Sequence, residues 1–83
     1  MPSQRSHPPV HTSARAMLAA NLRRLRRERG WSQEELAGRT ELDRSFIAHV
    51  EREARNISLD NIEKLADAFE VPVFVLLQRD SAT

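Results

Sequence analysis

From Leu18 to Leu77, apolar residues recur at intervals of three and four positions, and this pattern stops and restarts along the chain. In the segment ARAMLAANLRRLRRER, Ala14, Leu18, Leu22 and Leu25 form one stripe, with Arg23, Arg24 and Arg27 on the remaining surface. The spacing predicts a first helix from about Ser13, stopped by Gly30, which lacks the Cβ that makes a left-handed backbone costly.

Three later helices share one starting signal. A residue with capping chemistry follows an apolar one, and a second apolar residue lies five positions after the first: Trp31-Ser32 with Leu36, Leu42-Asp43 with Ile47, and Ile57-Ser58 with Ile62. Each is a capped helix start with a hydrophobic staple, which sets the angle at which the chain enters the helix. Glu35 adds a capping box to Ser32. These signals predict helices near 32–39, 43–52 and 58–69. Pro72 suits the first turn of a fifth, near 72–78, carrying Val73, Phe74, Leu76 and Leu77. Strand alternation, repeats and a glycine-rich phosphate loop are all missing from the sequence. The expected fold is all-α, a compact five-helix domain over 14–78.

Residues 1–13 hold three of the four prolines, three serines and little that is apolar, which predicts a flexible N-terminal tail. His7 and His11 cannot share a helical face with Pro8 and Pro9 between them, so no metal site is expected there. Arg5 is left as a candidate nucleic-acid contact. Residues 79–83 form a short C-terminal tail, with no sensing or catalytic domain expected after it.

The element with functional content is the pair of short helices joined by Thr40–Leu42. A connection of this length prevents antiparallel packing and points to a helix-turn-helix over about 32–52. On its second helix, Phe46, Ile47, Val50 and Glu51 gather on one side. Ser45, Ala48, His49 and Arg52 gather on the other, with Arg44 flanking. That second side is short, polar and rich in donors, a surface suited to base edges in a major groove.

Charge sharpens this picture. The 83 residues carry a formal net charge of only +1, unevenly spread. Residues 1–56 hold 11 Arg against 7 acids, and residues 57–83 hold Lys64 and Arg79 against 5 acids. A basic front and an acidic rear suit a polyanion on one face and another partner elsewhere. Of the 13 cations 12 are Arg, whose planar fork matches phosphate and guanine. Cysteine is absent, so disulfides and thiolate metal sites are excluded and an intracellular setting is expected. MPSQRSHPPVHTS lacks the apolar core of a secretion signal, and no apolar run approaches the roughly 20 residues that span a bilayer. With neither Cys nor Tyr and no His clustered with acids, no enzyme is expected.

The segments LRRLRRERGWSQEELA, LDRSFIAHVERE and ISLDNIEKLADAFEVP resemble the Cro-type, lambda-repressor-like helix-turn-helix proteins, also called Xre-type. The resemblance runs from about Leu18 to Leu77. The last two segments, joined by RNIS, look most like controller proteins of restriction-modification systems. It implies a lambda-repressor-like fold and binding of double-stranded DNA by a cytoplasmic transcription regulator. Carried over by position, Ser32 and Gln33 bind phosphate, while Arg44, Ser45, Ala48 and His49 read bases. Arg52, Arg55 and Asn56 follow the DNA backbone, and Arg26 pairs with Glu51 to tie the first helix to the reading helix. Glu41 and Glu53 depart from the pattern, since both stand where the family commonly has glycine.

A four-helix core of this size cannot cover Val73, Phe74 and Leu77 together, which predicts a homodimer interface on the fifth helix. The expected activity is dimeric binding to a palindromic operator, with RNA polymerase as a further candidate partner. Neither cofactor, metal nor small-molecule ligand is expected. A phage-type repressor and an antitoxin-like interaction module are the alternatives.

Overall fold

The computed structural model describes residues 13–79, which form α1 (Ala14–Glu28), α2 (Gln33–Thr40), α3 (Arg44–Glu51), α4 (Leu59–Phe69) and α5 (Val73–Leu77). The tails assigned to 1–13 and 79–83 lie outside the described residues except for Ser13 and Arg79, as do Arg5, His7 and His11. Among the described residues there is no strand, and no helix is long and apolar enough to cross a membrane.

The helix starts follow the local chemistry. The hydroxyl of Ser13 accepts from the Ala16 amide at 3.1 Å, that of Ser32 from Glu35 at 3.0 Å, and that of Ser58 from Asn61 at 3.1 Å. Each satisfies one of the amides that an isolated helix start leaves unpaired. Asp43 is the exception: it occupies the cap position of α3 in extended conformation, but its side chain makes no capping hydrogen bond. The Glu35 half of the expected capping box is also diverted, its carboxylate accepting from Arg39 one turn later at 3.0 Å.

The helix ends share one device. After α1, α2, α3 and α4 comes a single left-handed residue: Gly30 (φ 71°), Glu41 (φ 63°), Glu53 (φ 63°) and Glu70 (φ 59°). The amide of the following residue reaches back to a carbonyl in the last turn. Trp31 donates to Arg26, Leu42 to Ala37, Ala54 to His49 and Val71 to Ala66, at 2.8–3.2 Å. This is the Schellman closure, which satisfies carbonyls that the helix end would leave orphaned. Trp31 and Leu42 therefore do two jobs, closing one helix and stapling the next. The turns they occupy are correspondingly short.

The inner members of all three staples, Leu36, Ile47 and Ile62, are buried beside Leu22, Leu65 and Phe69 in one core. Their outer members, Trp31, Leu42 and Ile57, are partly buried against the same cluster. Trp31 stacks on Phe69 with centroids 5.4 Å apart, and Arg29 covers the pair with its cation while donating to the Phe69 carbonyl at 2.8 Å. The buried stripe of α1 begins at Leu18, not at Ala14, which is exposed at the helix start.

α1 packs against both α3 and α5, while α2 packs against α3 and α4. The α1–α5 contact contains a group not anticipated from the sequence. Asn21 is fully buried, and its amide nitrogen donates to the carbonyls of Leu76 and Gln78, each at 2.8 Å. These carbonyls lie at the end of α5, where the helix supplies no partner of its own. On α5 itself Leu76 is buried, Val73 and Leu77 are half-buried against the core, and Phe74 is 66% exposed.

Candidate nucleic-acid interface

α3 presents two unlike faces. At 100° per residue, Ile47, Val50 and Glu51 fall in one arc and are buried, and Ala48 falls at its edge. Ser45 and Arg52 lie in the opposite arc and are exposed, with His49 half-exposed between them. Arg44 is exposed at the first helical position. The reading edge expected from the sequence is thus open for Arg44, Ser45 and His49. Ala48, the fourth residue of the expected base-reading set, is far less open, with a relative exposure of 9%. Both α1 and α2 pack on α3, and Ala48 lies at the border of the arc they cover.

His49 is tethered to its own helix. Its Nδ1–H donates to the Ser45 carbonyl at 2.6 Å, leaving Nε2 as the ring atom available to a partner. Beyond α3, Arg52, Arg55 and Asn56 are all exposed in the loop that leads to α4. Arg55 is held over the Phe46 ring, and Asn56 accepts through its side-chain oxygen from Arg15 at the start of α1. A shallow cleft beside the α3 start is lined by Ser45, Phe46 and Arg55 together with the acids Glu41 and Asp43. Arg55 therefore shares its cleft with carboxylates, which suits a discrete contact better than a uniform positive field.

Under the exposed edge lies the pair expected from the sequence. Arg26 grips Glu51 with both arms of its fork, Nε to Oε2 at 2.7 Å and Nη2 to Oε1 at 3.0 Å. Glu51 is 4% exposed and Arg26 14%. The third guanidinium nitrogen donates to the Trp31 carbonyl at 2.9 Å, and Arg23 donates to the Glu51 main-chain carbonyl. Such a network sets geometry without necessarily adding stability, because desolvating both charges offsets their attraction.

Gln33 is half-buried at the first position of α2, with Ser32 exposed before it. Its side-chain nitrogen donates to Glu51 Oε1 at 2.9 Å, a link that the sequence did not announce. The arginine run at 23–29 is largely scaffold: Arg23, Arg24, Arg26 and Arg29 all hold protein partners, and Arg27 is exposed.

A five-helix domain with α2 and α3 joined by a three-residue turn, and one polar edge of α3 turned to solvent, defines a helix-turn-helix DNA-binding domain. The chain belongs to the Helix-turn-helix family HTH_3, whose profile matches residues 22–76. It is 49% identical over 69 residues to the Neisseria hypothetical transcription factor of Neisseria meningitidis serogroup B, covering 83% of this chain and 65% of that protein. The chain thus spans just under two thirds of that relative. The crystal structure of the hypothetical transcription factor NHTF from Neisseria superposes with a TM-score of 0.80 at 48% identity, over 83% of this chain and 78% of that one. The restriction-modification controller protein C.AhdI from Aeromonas hydrophila superposes with a TM-score of 0.72 at 45% identity, over 75% of this chain and 94% of that one. A third solved relative is the controller protein C.Esp1396I, captured as a tetramer on its natural 35 base-pair operator. It has a TM-score of 0.71 at 29% identity, over 80% of this chain and 87% of that one.

Proposed function

We propose that the chain is a sequence-specific transcription regulator of the restriction-modification controller type, binding a palindromic DNA operator as a dimer. The observation that carries this reading is the exposed edge of Arg44, Ser45 and His49 on a helix clamped from beneath by Arg26 and Glu51. The operator complex solved for a relative at 29% identity supports it.

In this reading α3 enters the major groove. Arg44 reaches a guanine with its fork, and Ser45 and His49 address neighbouring base edges. Ser32, Gln33 and the amides of the α2 start take one phosphate, where unpaired N–H groups and the helix dipole favour an anion. Arg52, Arg55 and Asn56 take phosphates on the far side. These backbone contacts position the protein and carry no sequence information themselves.

Phe74, with the flanking Val73 and Leu77, joins two copies. A two-fold axis there presents two α3 helices to successive major grooves, about 34–36 Å apart. Occupancy of a promoter then blocks or recruits RNA polymerase, in the cytoplasm, without a cofactor or small-molecule ligand. No catalytic role is assigned.

Footprinting across the chain's own upstream region, with a salt titration, tests the reading. Protection of a palindromic site, with affinity falling as salt rises, is expected. Failure of every duplex to bind at low ionic strength would refute it.

A further inference from the structure

We infer that Glu51 is a positioning residue for DNA binding: it orients the Gln33 side-chain amide so that a nitrogen-bound hydrogen faces phosphate. The inference rests on the DNA-binding reading above and adds a residue to it that never meets DNA itself.

A glutamine at a phosphate site has two ends with opposite consequences. Its NH2 group attracts a phosphate oxygen and its carbonyl oxygen repels one. An unrestrained side chain samples both. Here Glu51 removes the choice. Its carboxylate is buried and gripped by Arg26, and an acceptor-only group of this kind can face only the nitrogen end. The observed 2.9 Å contact joins Gln33 Nε2 to Glu51 Oε1. That nitrogen carries two hydrogens, so one is used and the second remains for a ligand.

Its neighbours supply the rest of a phosphate contact. The amide of Glu35 is taken by the Ser32 hydroxyl and that of Leu36 by the Ser32 carbonyl. The amides of Gln33 and Glu34 come earlier in the helix and have no intrahelical partner. The oriented Gln33 nitrogen stands at that same end.

The same carboxylate fixes more than one side chain. Arg26 joins it to α1 and, through the Trp31 carbonyl, to the chain entering α2. Glu51 is itself the last residue of α3. One buried anion thus holds the phosphate end of α2 and the reading helix in a single register.

The test is a double-mutant cycle in the full chain. Affinity is measured by fluorescence anisotropy on the footprinted upstream duplex and on a scrambled duplex of equal length. Gln33→Ala alone should weaken binding to both duplexes by about tenfold, the loss expected for one hydrogen bond to a charged group. With the buried pair replaced by apolar residues of similar size, Arg26→Met with Glu51→Met, the same Gln33→Ala change should cost less than about twofold. An equal loss in both backgrounds would overturn the inference.

Nitrogen-15 spectra of the unaltered chain give a second readout that needs no folded variant. The duplex should shift the Gln33 side-chain proton not bound to Glu51, and an unmoved resonance counts against the inference. A wild-type chain that binds neither duplex removes the DNA-binding reading itself, and this inference with it.

Discussion

The guanidinium carbon of Arg55 lies 5.7 Å from the centroid of the Phe46 ring. Phe46 belongs to the first turn of α3 and Arg55 to the loop beyond the helix, so the ring holds a loop cation back against the start of α3. A cation over an aromatic face gains about 0.5–1 kcal/mol at an exposed site. Phe46→Leu, which keeps an apolar group against the core, should therefore weaken DNA binding about two- to fivefold on all sequences alike. Arg55→Ala should lower affinity similarly across sequences and flatten the salt dependence by about one unit. In the Arg55→Ala background the Phe46 change should lose its effect on affinity. Salt titrations of the single and double variants check this, and additive losses would disconnect ring from cation.

Arg44 should behave differently. It is exposed at the first position of α3, and in the proposed function it forks onto one base. Arg44→Ala is expected to cost about 1–3 kcal/mol at a single base position and to relax preference there. Binding to a panel of single-base operator variants measures it. An unchanged preference profile would take Arg44 out of the reading set.

The three left-handed glutamates make a stability prediction. A side chain with a Cβ in this conformation costs roughly 1–2 kcal/mol, which glycine avoids. Part of that gain is offset by the greater freedom of glycine in the unfolded chain. Glu41→Gly, Glu53→Gly and Glu70→Gly should each stabilise the fold by about 0.5–1 kcal/mol, read as a raised urea midpoint. These sites lie on separate turns, so the triple variant should show near-additive gains. A lowered midpoint in all three would mean that the carboxylates contribute contacts outweighing the strain.

Phe74 separates assembly from folding. Because Phe74 is 66% exposed while nearby Leu76 is fully buried, Phe74→Glu should leave the monomer's melting behaviour nearly unchanged. Sedimentation equilibrium should then find the variant monomeric and the unaltered chain dimeric, as the proposed function requires. Identical sedimentation of the two would move the two-fold interface away from α5.

The starts of α2, α3 and α4 could be read to within a residue because caps and staples act over five positions or fewer. The inner staple residues had to be core, since nothing else in so short a chain could cover them. The exposed edge of α3 followed from helical periodicity alone for Ser45, His49 and Arg52. Family resemblance supplied the pairing of Arg26 with Glu51, which no local rule contains.

The remaining features depend on neighbours distant in sequence. Asn21 looks like a surface residue until α5 brings the Leu76 carbonyl, 55 positions away, against it. Ala48 stands by periodicity at the border between the two faces of α3, and the packing of the neighbouring helices leaves it 9% exposed. Gln33 meets Glu51 across 18 positions, and Asp43 leaves its cap role unused although its residue type suits it. Amino-acid order by itself determined the helices, their inward stripes and the exposed polar edge of α3, because these arise from contacts within a turn or two. Tertiary structure decided which polar groups are buried, which partners orient them and which apolar ring stays uncovered, because each depends on where a separate helix comes to rest.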